Sequence, residues 1–388
     1  MSDLKPADQR IYFDHAATSW PKPPGVVDAV CRYMNEEGAT AGRGAYRSAR
    51  RAGELLLRTR IKLAGLIGLS ADPMDSNCIS FHSSGTAALN SAIDGLVRPN
   101  DCVVTTAADH NSVLRPLHRL ANDRNVDLRI VTCDQTGLVK TEDVLNAAGS
   151  DADWVIITSA SNVTGAIQPI EEIAEKLKAH RARLIVDAAQ TLGAKSIDVT
   201  TGVDALAAPL HKCVGGPAGT AMLYLAPSLH DSIRPLIVGG TGTASESLVF
   251  PVHQPDAMES GNLNVPAIAG VEVAVDRILE RGLDQIEQDN RRICDHLTTA
   301  LPSAVGRWIR PLFAQLPTFS LVPFSLPPAE TAAVLDSEYG IEVRSGYHCA
   351  ALVHQALLTN ETGTLRISAS AETTEAEIET LCAALADL

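Results

Sequence analysis

The sequence is short of several things that would have announced a function early. It holds no apolar run long enough to cross a membrane. Its first ten residues, MSDLKPADQR, lack the apolar stretch of a secretory signal. There is no CxxC pair: Cys31, Cys78, Cys102, Cys133, Cys213, Cys294, Cys349 and Cys382 stand apart, which argues against a zinc ribbon or a redox dithiol. Basic residues are outnumbered, 32 Lys and Arg against 46 Asp and Glu, for a formal net charge of −14. A nucleic-acid binder needs a basic face, so that class is set aside. The expectation is a cytoplasmic protein that engages neither nucleic acid nor membrane, carries no metal, and buries most of its cysteines as small hydrophobes.

What is there suits a folded enzyme of ordinary composition. The chain has 388 residues, 45% hydrophobic and 20% charged, enough for two domains with proper cores. Helical periodicity runs over Gly25–Glu36 and Ser48–Ile67. From about residue 78, β-branched runs at 102–107, 128–132, 154–158, 183–189, 204–208 and 220–225 alternate with helical stretches such as Ile170–His180. That alternation predicts an α/β domain with a mostly parallel sheet flanked by helices, and ligands at the carboxyl ends of its strands. Two helices at Asn264–Arg281 and Leu283–Leu301, apolar TFSLVPFSL, a helix at Ala329–Tyr339, strand-like TLRISAS and a terminal helix at Thr373–Leu388 predict a smaller α+β unit. The expected division is 16–255 for the large domain and 256–388, with 1–15, for the small one.

Several stretches carry chemistry. In AAPLHKCVGGPAGT, Lys212 sits between an apolar run and a glycine-rich turn. A desolvated lysine is a better nucleophile and can form a Schiff base with an aldehyde. FHSSGTAALN places Gly85 and Thr86 at a helix start, where free N–H groups suit a phosphate or where Ser84 is simply an N-cap. Asp187 ends the strand RLIVD: it either pairs with a protonated ring nitrogen or caps a turn, and Gln190 follows three residues on. His110, after another strand, either stacks on a flat ligand or caps a helix. Asn162 lies in the polar turn SNVTGAIQPI. Cys349 lies in VRSGYHCA beside His348 and five residues after Arg344, and cationic neighbours favour the reactive thiolate. Arg366, in an apolar strand, needs an anion, either a substrate carboxylate or an internal Asp or Glu.

These stretches, with YFDHAATS, GRGAYR, GGTGT, ESGNLNVPAIAG and TGTLRIS, occur in the order found in the cysteine desulfurase branch of the class V aminotransferases, and from about residue 11 to its end the chain resembles that family. The resemblance implies a fold type I enzyme dependent on pyridoxal 5′-phosphate that converts L-cysteine to L-alanine. It implies that Lys212 carries the cofactor, with His211 on the phosphate side. Asp187 would meet the ring nitrogen, Gln190 the ring hydroxyl, and His110 the ring face. Gly85 and Thr86 would hold the phosphate. Asn162 would lie near the ring oxygen and the substrate carboxylate, which Arg366 would bind. Cys349 would take the sulfur as a persulfide. A homodimer is implied, with Arg43 and Asn262 in segments used at the interface, and a sulfur-acceptor protein is a possible partner.

The chain departs from that pattern at four places. Pro209 stands where Ser or Thr usually bonds the phosphate. Asn262 replaces a threonine that reaches the neighbouring subunit's phosphate. His15 replaces an Asn close to the expected substrate, and SASAETTEAE lacks the usual aromatic-Asn-Thr pattern. These departures leave two alternatives: a related lyase acting on selenocysteine, cystine or cysteine sulfinate, and a sulfur-carrying partner with little turnover.

Overall fold

The computed structural model describes residues 10–388 apart from 43, 71, 243–245 and 251–252. Arg43, expected at a subunit interface, lies outside the described residues. The strands in chain order are β1 (Ile11–Tyr12), β2 (Ile79–His82), β3 (Cys102–Thr106), β4 (Asp127–Val131), β5 (Trp154–Thr158), β6 (Arg183–Asp187), β7 (Ala205–Pro209) and β8 (Ala221–Leu225). They continue with β9 (Gly306–Ile309), β10 (Thr318–Pro323), β11 (Ile341–Glu342), β12 (Arg344–Gly346) and β13 (Thr364–Ser368).

Strands β2 to β8 form one sheet in the order β2-β8-β7-β6-β5-β3-β4. Strands β3 to β7 are mutually parallel, and β8 runs antiparallel to both β7 and β2. The strand segments read from the sequence fall on β3 to β8. Their runs are continuous rather than alternating because both faces are covered. Val104, Val155, Ile157, Leu184 and Val186 enter the cluster on one face, with the helices Val26–Arg32, Arg47–Leu66 and Val265–Arg281. Val103, Ile156, Ile185, Ala205 and Ala207 enter the other, with Gly85–Leu96 and Asn111–Arg124. The mostly parallel sheet flanked by helices is therefore as expected. Helix Val265–Arg281, which follows the boundary drawn at 256, buries Ile268, Val271, Val275 and Ile278 in the first of these clusters and packs on Val26–Arg32 and Arg47–Leu66.

The last third builds a four-stranded antiparallel sheet in the order β12-β13-β10-β9. Its apolar face, with Phe319, Leu321, Leu365 and Ile367, meets Ile293 and Leu297 of helix Leu283–Ala300 and Ile378 and Leu381 of helix Glu375–Ala386. That terminal helix starts at a capping box between Thr374 and Glu377. The N-terminal strand β1 pairs in parallel with β11. The chain then runs from this sheet toward the large one, with Asp14 bridging to Ser368. That crossing sets residues 14–22 between the carboxyl ends of the large sheet and the edge of the small one.

Candidate active site

The carboxyl ends of β3, β5, β6 and β7 open on a cavity of about 230 Å³ lined by His110, Asn162, Asp187, Gln190, His211 and Lys212. Asp187 is buried at the end of β6 and accepts the Ala189 N–H at 2.9 Å. Burial pushes its carboxyl above the usual range, against the pull of Lys212. Burial pushes the Lys212 amine down, with Asp187 opposing and Arg366 and Arg344 assisting. The amine is thereby moved toward its nucleophilic form. Gln190 is buried and donates to the Ala16 carbonyl at 3.1 Å, which fixes its side chain against the N-terminal segment.

The opposite wall is the start of helix Gly85–Leu96. Ser84 is its N-cap, accepting the Ala87 N–H at 3.1 Å. That cap leaves the Gly85 and Thr86 N–H groups turned to the cavity, the arrangement that attracts phosphate. A Cβ on Gly85 would come to 2.9 Å from Cδ of Pro209, so the tight approach of β7 requires glycine here. Pro209 lines the cavity and supplies no hydroxyl. The Thr86 hydroxyl lies 2.7 Å from that of Ser112.

His110 is the helix cap that one reading expected. Its Nδ1 accepts the Ser112 N–H at 3.0 Å and so caps helix Asn111–Arg124, while the ring lines the cavity. Accepting at Nδ1 leaves the proton on Nε2. Burial and four cations, Lys212 foremost, push its pKa down to about 4, so the ring is neutral at pH 7.

Arg366, on β13, is 1% exposed. Its Nη2 is paired with Asp14 and its Nη1 donates to the Asn162 carbonyl at 3.0 Å, while its buried Nε has no partner among the described residues. The internal partner is Asp14, which holds one end, while Nε has no hydrogen-bond partner among the described residues and the side chain lines the cavity. The Asn162 side-chain amide donates to the His348 carbonyl at 2.6 Å.

Cys349 is exposed and does not line the cavity itself. Its Sγ lies 3.7 Å from Nη2 of Arg344, which does line it, and its carbonyl accepts the Asn111 N–H at 2.8 Å. The thiol therefore stands at the cavity's mouth, one side chain from its interior. His348 and Cys349 both adopt left-handed backbone, with φ of 50° and 57°. Residues other than glycine hold that conformation only where the surroundings fix it. Here the Asn162 amide and the Asn111 N–H clasp the two carbonyls.

Two expected residues line other cavities. His15 lines a neighbouring cavity of about 510 Å³, which shares Ala16, Gln190 and Lys212 with the first. Its ring is edge-on to Tyr12 at 5.0 Å. Asn262 is exposed and lines a third cavity with Ser83 and Glu259, away from Lys212. The sequence reading missed Asp14, the partner of Arg366, although it stands beside the motif residue His15. It also missed Lys22, hidden in what reads as a Pro-rich loop.

A buried lysine facing a buried carboxylate, a helix N-terminus lined by glycine, and an arginine with an orphaned donor form a set whose chemistry fits a phosphate-bearing aldehyde and an amino acid. Comparisons with known proteins agree with that chemistry. The family model for aminotransferase class-V matches residues 11–381. A probable cysteine desulfurase of Methanothermobacter thermautotrophicus is 33% identical over 98% of this chain and 94% of its own. One of Pyrococcus abyssi is 31% identical over 100% and 96%. The solved apo structure of a cysteine desulfurase from Thermococcus onnurineus NA1 superposes with a TM-score of 0.89 at 28% identity, covering 100% of this chain and 99% of that one.

Proposed function

Since the chain belongs to the class-V aminotransferase family, in its cysteine desulfurase branch, we propose that it takes L-cysteine to L-alanine with pyridoxal phosphate at Lys212 and leaves the sulfur on Cys349. The observation that carries this reading is the convergence of Lys212, Asp187, His110 and the Gly85–Thr86 helix start in one cavity, with Arg366 at its edge and Cys349 at its mouth.

Bound pyridoxal phosphate supplies an electron sink for negative charge that develops on the substrate's carbons. The chain's own residues do the rest. Gly85 and Thr86 would offer backbone donors to the phosphate, with His211 beside it. Asp187 would hold a proton on the ring nitrogen, and His110 would cover the ring. Arg366 holds the substrate carboxylate through its free donor, kept in one orientation by Asp14 and the Asn162 carbonyl. Lys212 takes the proton from the substrate's Cα and returns one later. The Cys349 thiolate bonds to the substrate sulfur as the carbon–sulfur bond breaks. The electron pair stays on carbon and is protonated, and alanine leaves. Arg344 steadies the thiolate.

The alternative substrates, selenocysteine, cystine and cysteine sulfinate, draw on His15 and on the altered phosphate shell at Pro209 and Asn262; the His15 cavity adjoins the first through Ala16, Gln190 and Lys212, and comparing turnover of these compounds with that of L-cysteine decides between them. A homodimer is proposed because Asn262 and the exposed Leu236 and Ile237 gather around one cavity that a second copy would cover. The exposed Cys349 suits delivery to a sulfur-acceptor protein. Eight free cysteines suit a reducing cytoplasm, and among the described residues no helix is long and apolar enough to cross a membrane. The reading is tested by incubating the purified protein with pyridoxal phosphate and L-cysteine, then measuring alanine and mapping the persulfide by mass spectrometry. Alanine in step with persulfide on Cys349 supports it; pyruvate, or no product, defeats it.

A further inference from the structure

The carbonyl that precedes the catalytic lysine is crowded with donors. The His211 oxygen has the Ser19 N–H at 3.1 Å, Lys22 Nζ at 3.0 Å, and the hydroxyls of Thr18 and Ser19 each at 3.1 Å. A carbonyl oxygen has two lone pairs. The Ser19 N–H has no other acceptor in reach and takes one. Lys22 carries three protons and has three oxygens before it: the His211 carbonyl, the Ser19 hydroxyl at 3.0 Å and the Thr18 hydroxyl at 3.4 Å. None is a carboxylate, and among the described residues Lys22 makes no ion pair. Its ammonium is thus committed wholly to this cluster.

The consequence falls on a second bond. The Thr18 hydroxyl also lies 3.1 Å from Nδ1 of His211. It has one proton, to give either to the carbonyl or to Nδ1. With both carbonyl lone pairs filled, the proton goes to Nδ1. The imidazole then keeps its own proton on Nε2, the nitrogen left for a ligand where His211 lines the cavity. Without Lys22, a carbonyl lone pair opens to the Thr18 and Ser19 hydroxyls alike; whenever Thr18 takes it, Nδ1 must donate and Nε2 becomes a bare acceptor that repels phosphate oxygen, so the Nε2–H tautomer is no longer held alone. The ring is neutral at pH 7, since burial and the charges of Lys212 and Lys22 push its pKa to about 4, so its tautomer decides what it offers.

We propose that Lys22 is a positioning residue that sets the tautomer of His211, and through it the cavity's affinity for a phosphate group. This rests on the cofactor reading given above. The test is titration of cofactor-free protein, followed by absorbance, with two ligands that share the aldehyde ring and differ in the phosphate: pyridoxal phosphate and pyridoxal. Lys22→Met is expected to weaken pyridoxal phosphate by about tenfold, the order of one charge-assisted hydrogen bond, and to leave pyridoxal within about twofold. Thr18→Val, which removes the same relay, is expected to do likewise. Lys22→Met in the Thr18→Val background adds nothing, and Lys22→Arg retains wild-type affinity. Equal weakening of both ligands, no weakening, or additive losses from the two substitutions overturns the inference. A wild-type protein that takes up neither ligand removes the cofactor reading, and this inference with it.

Discussion

Nη2 of Arg344 lies 3.7 Å from Sγ of Cys349 while the same arginine lines the cavity that holds Lys212. One cation therefore links an exposed thiol to an enclosed amine. Replacing the thiol removes sulfur transfer without touching the cofactor's surroundings. Cys349→Ser is expected to lower alanine formation at least about hundredfold while pyridoxal phosphate binds with wild-type affinity, measured by product assay and absorbance titration.

Gly85 and Pro209 meet too closely for a side chain. Gly85→Ala places a Cβ 2.9 Å from Cδ of Pro209, so the helix start must retreat from the cavity. Overpacking of this kind costs about 1–3 kcal/mol. Affinity for pyridoxal phosphate should fall about tenfold or more, and Pro209→Ala in the same chain should restore much of it. Equilibrium titration of the three variants checks this.

Arg366→Lys keeps a charge and loses the fork. A lysine cannot hold Asp14 and the Asn162 carbonyl and still offer a third donor to a carboxylate. The value of kcat/KM for L-cysteine is expected to fall about hundredfold, mainly through KM, since a buried charge loses its geometry. Steady-state kinetics separate the two constants.

His348 links the site to acid stability. It is 2% exposed, with Nε2 3.0 Å from the Thr364 hydroxyl and Nδ1 unpaired. Burial, with Arg366, His354 and Arg344 nearby, pushes its pKa down to about 2. The unfolded chain binds this proton below about pH 6.5 and the folded one does not, so stability is lost as pH falls through that value. Between pH 6.5 and 5 the linked loss is about 2 kcal/mol. Urea unfolding should show the gap between wild type and His348→Gln narrowing by that order as pH falls from 7 to 5.

Much of this was legible in the residues, and what was missed has a physical cause. Strands β3 to β8 announced themselves because burial on both faces forces unbroken β-branched runs. β9, with Gly306 and Arg307 in a four-residue edge strand, carries no such signal. Lys212, Asp187 and Arg366 were readable because a lysine before a glycine turn, a strand-end carboxylate and a strand arginine each demand a partner. Lys22 and Asp14 act through contacts 189 and 352 residues away in sequence, which no local pattern encodes. His15 lines the adjoining cavity for a local reason: the backbone turns at residues 15–17, so Ala16 and Ala17 line the first cavity while His15 and Ala16 line the second.

The central claim is that the Lys212 amine holds an aldehyde in this cavity, and the visible spectrum tests it most directly. Wild-type protein mixed with pyridoxal phosphate should develop an absorbance band, distinct from that of the free aldehyde, that changes on adding L-cysteine, and Lys212→Ala should develop neither band nor alanine. A Lys212→Ala protein with the wild-type band and turnover would contradict the account.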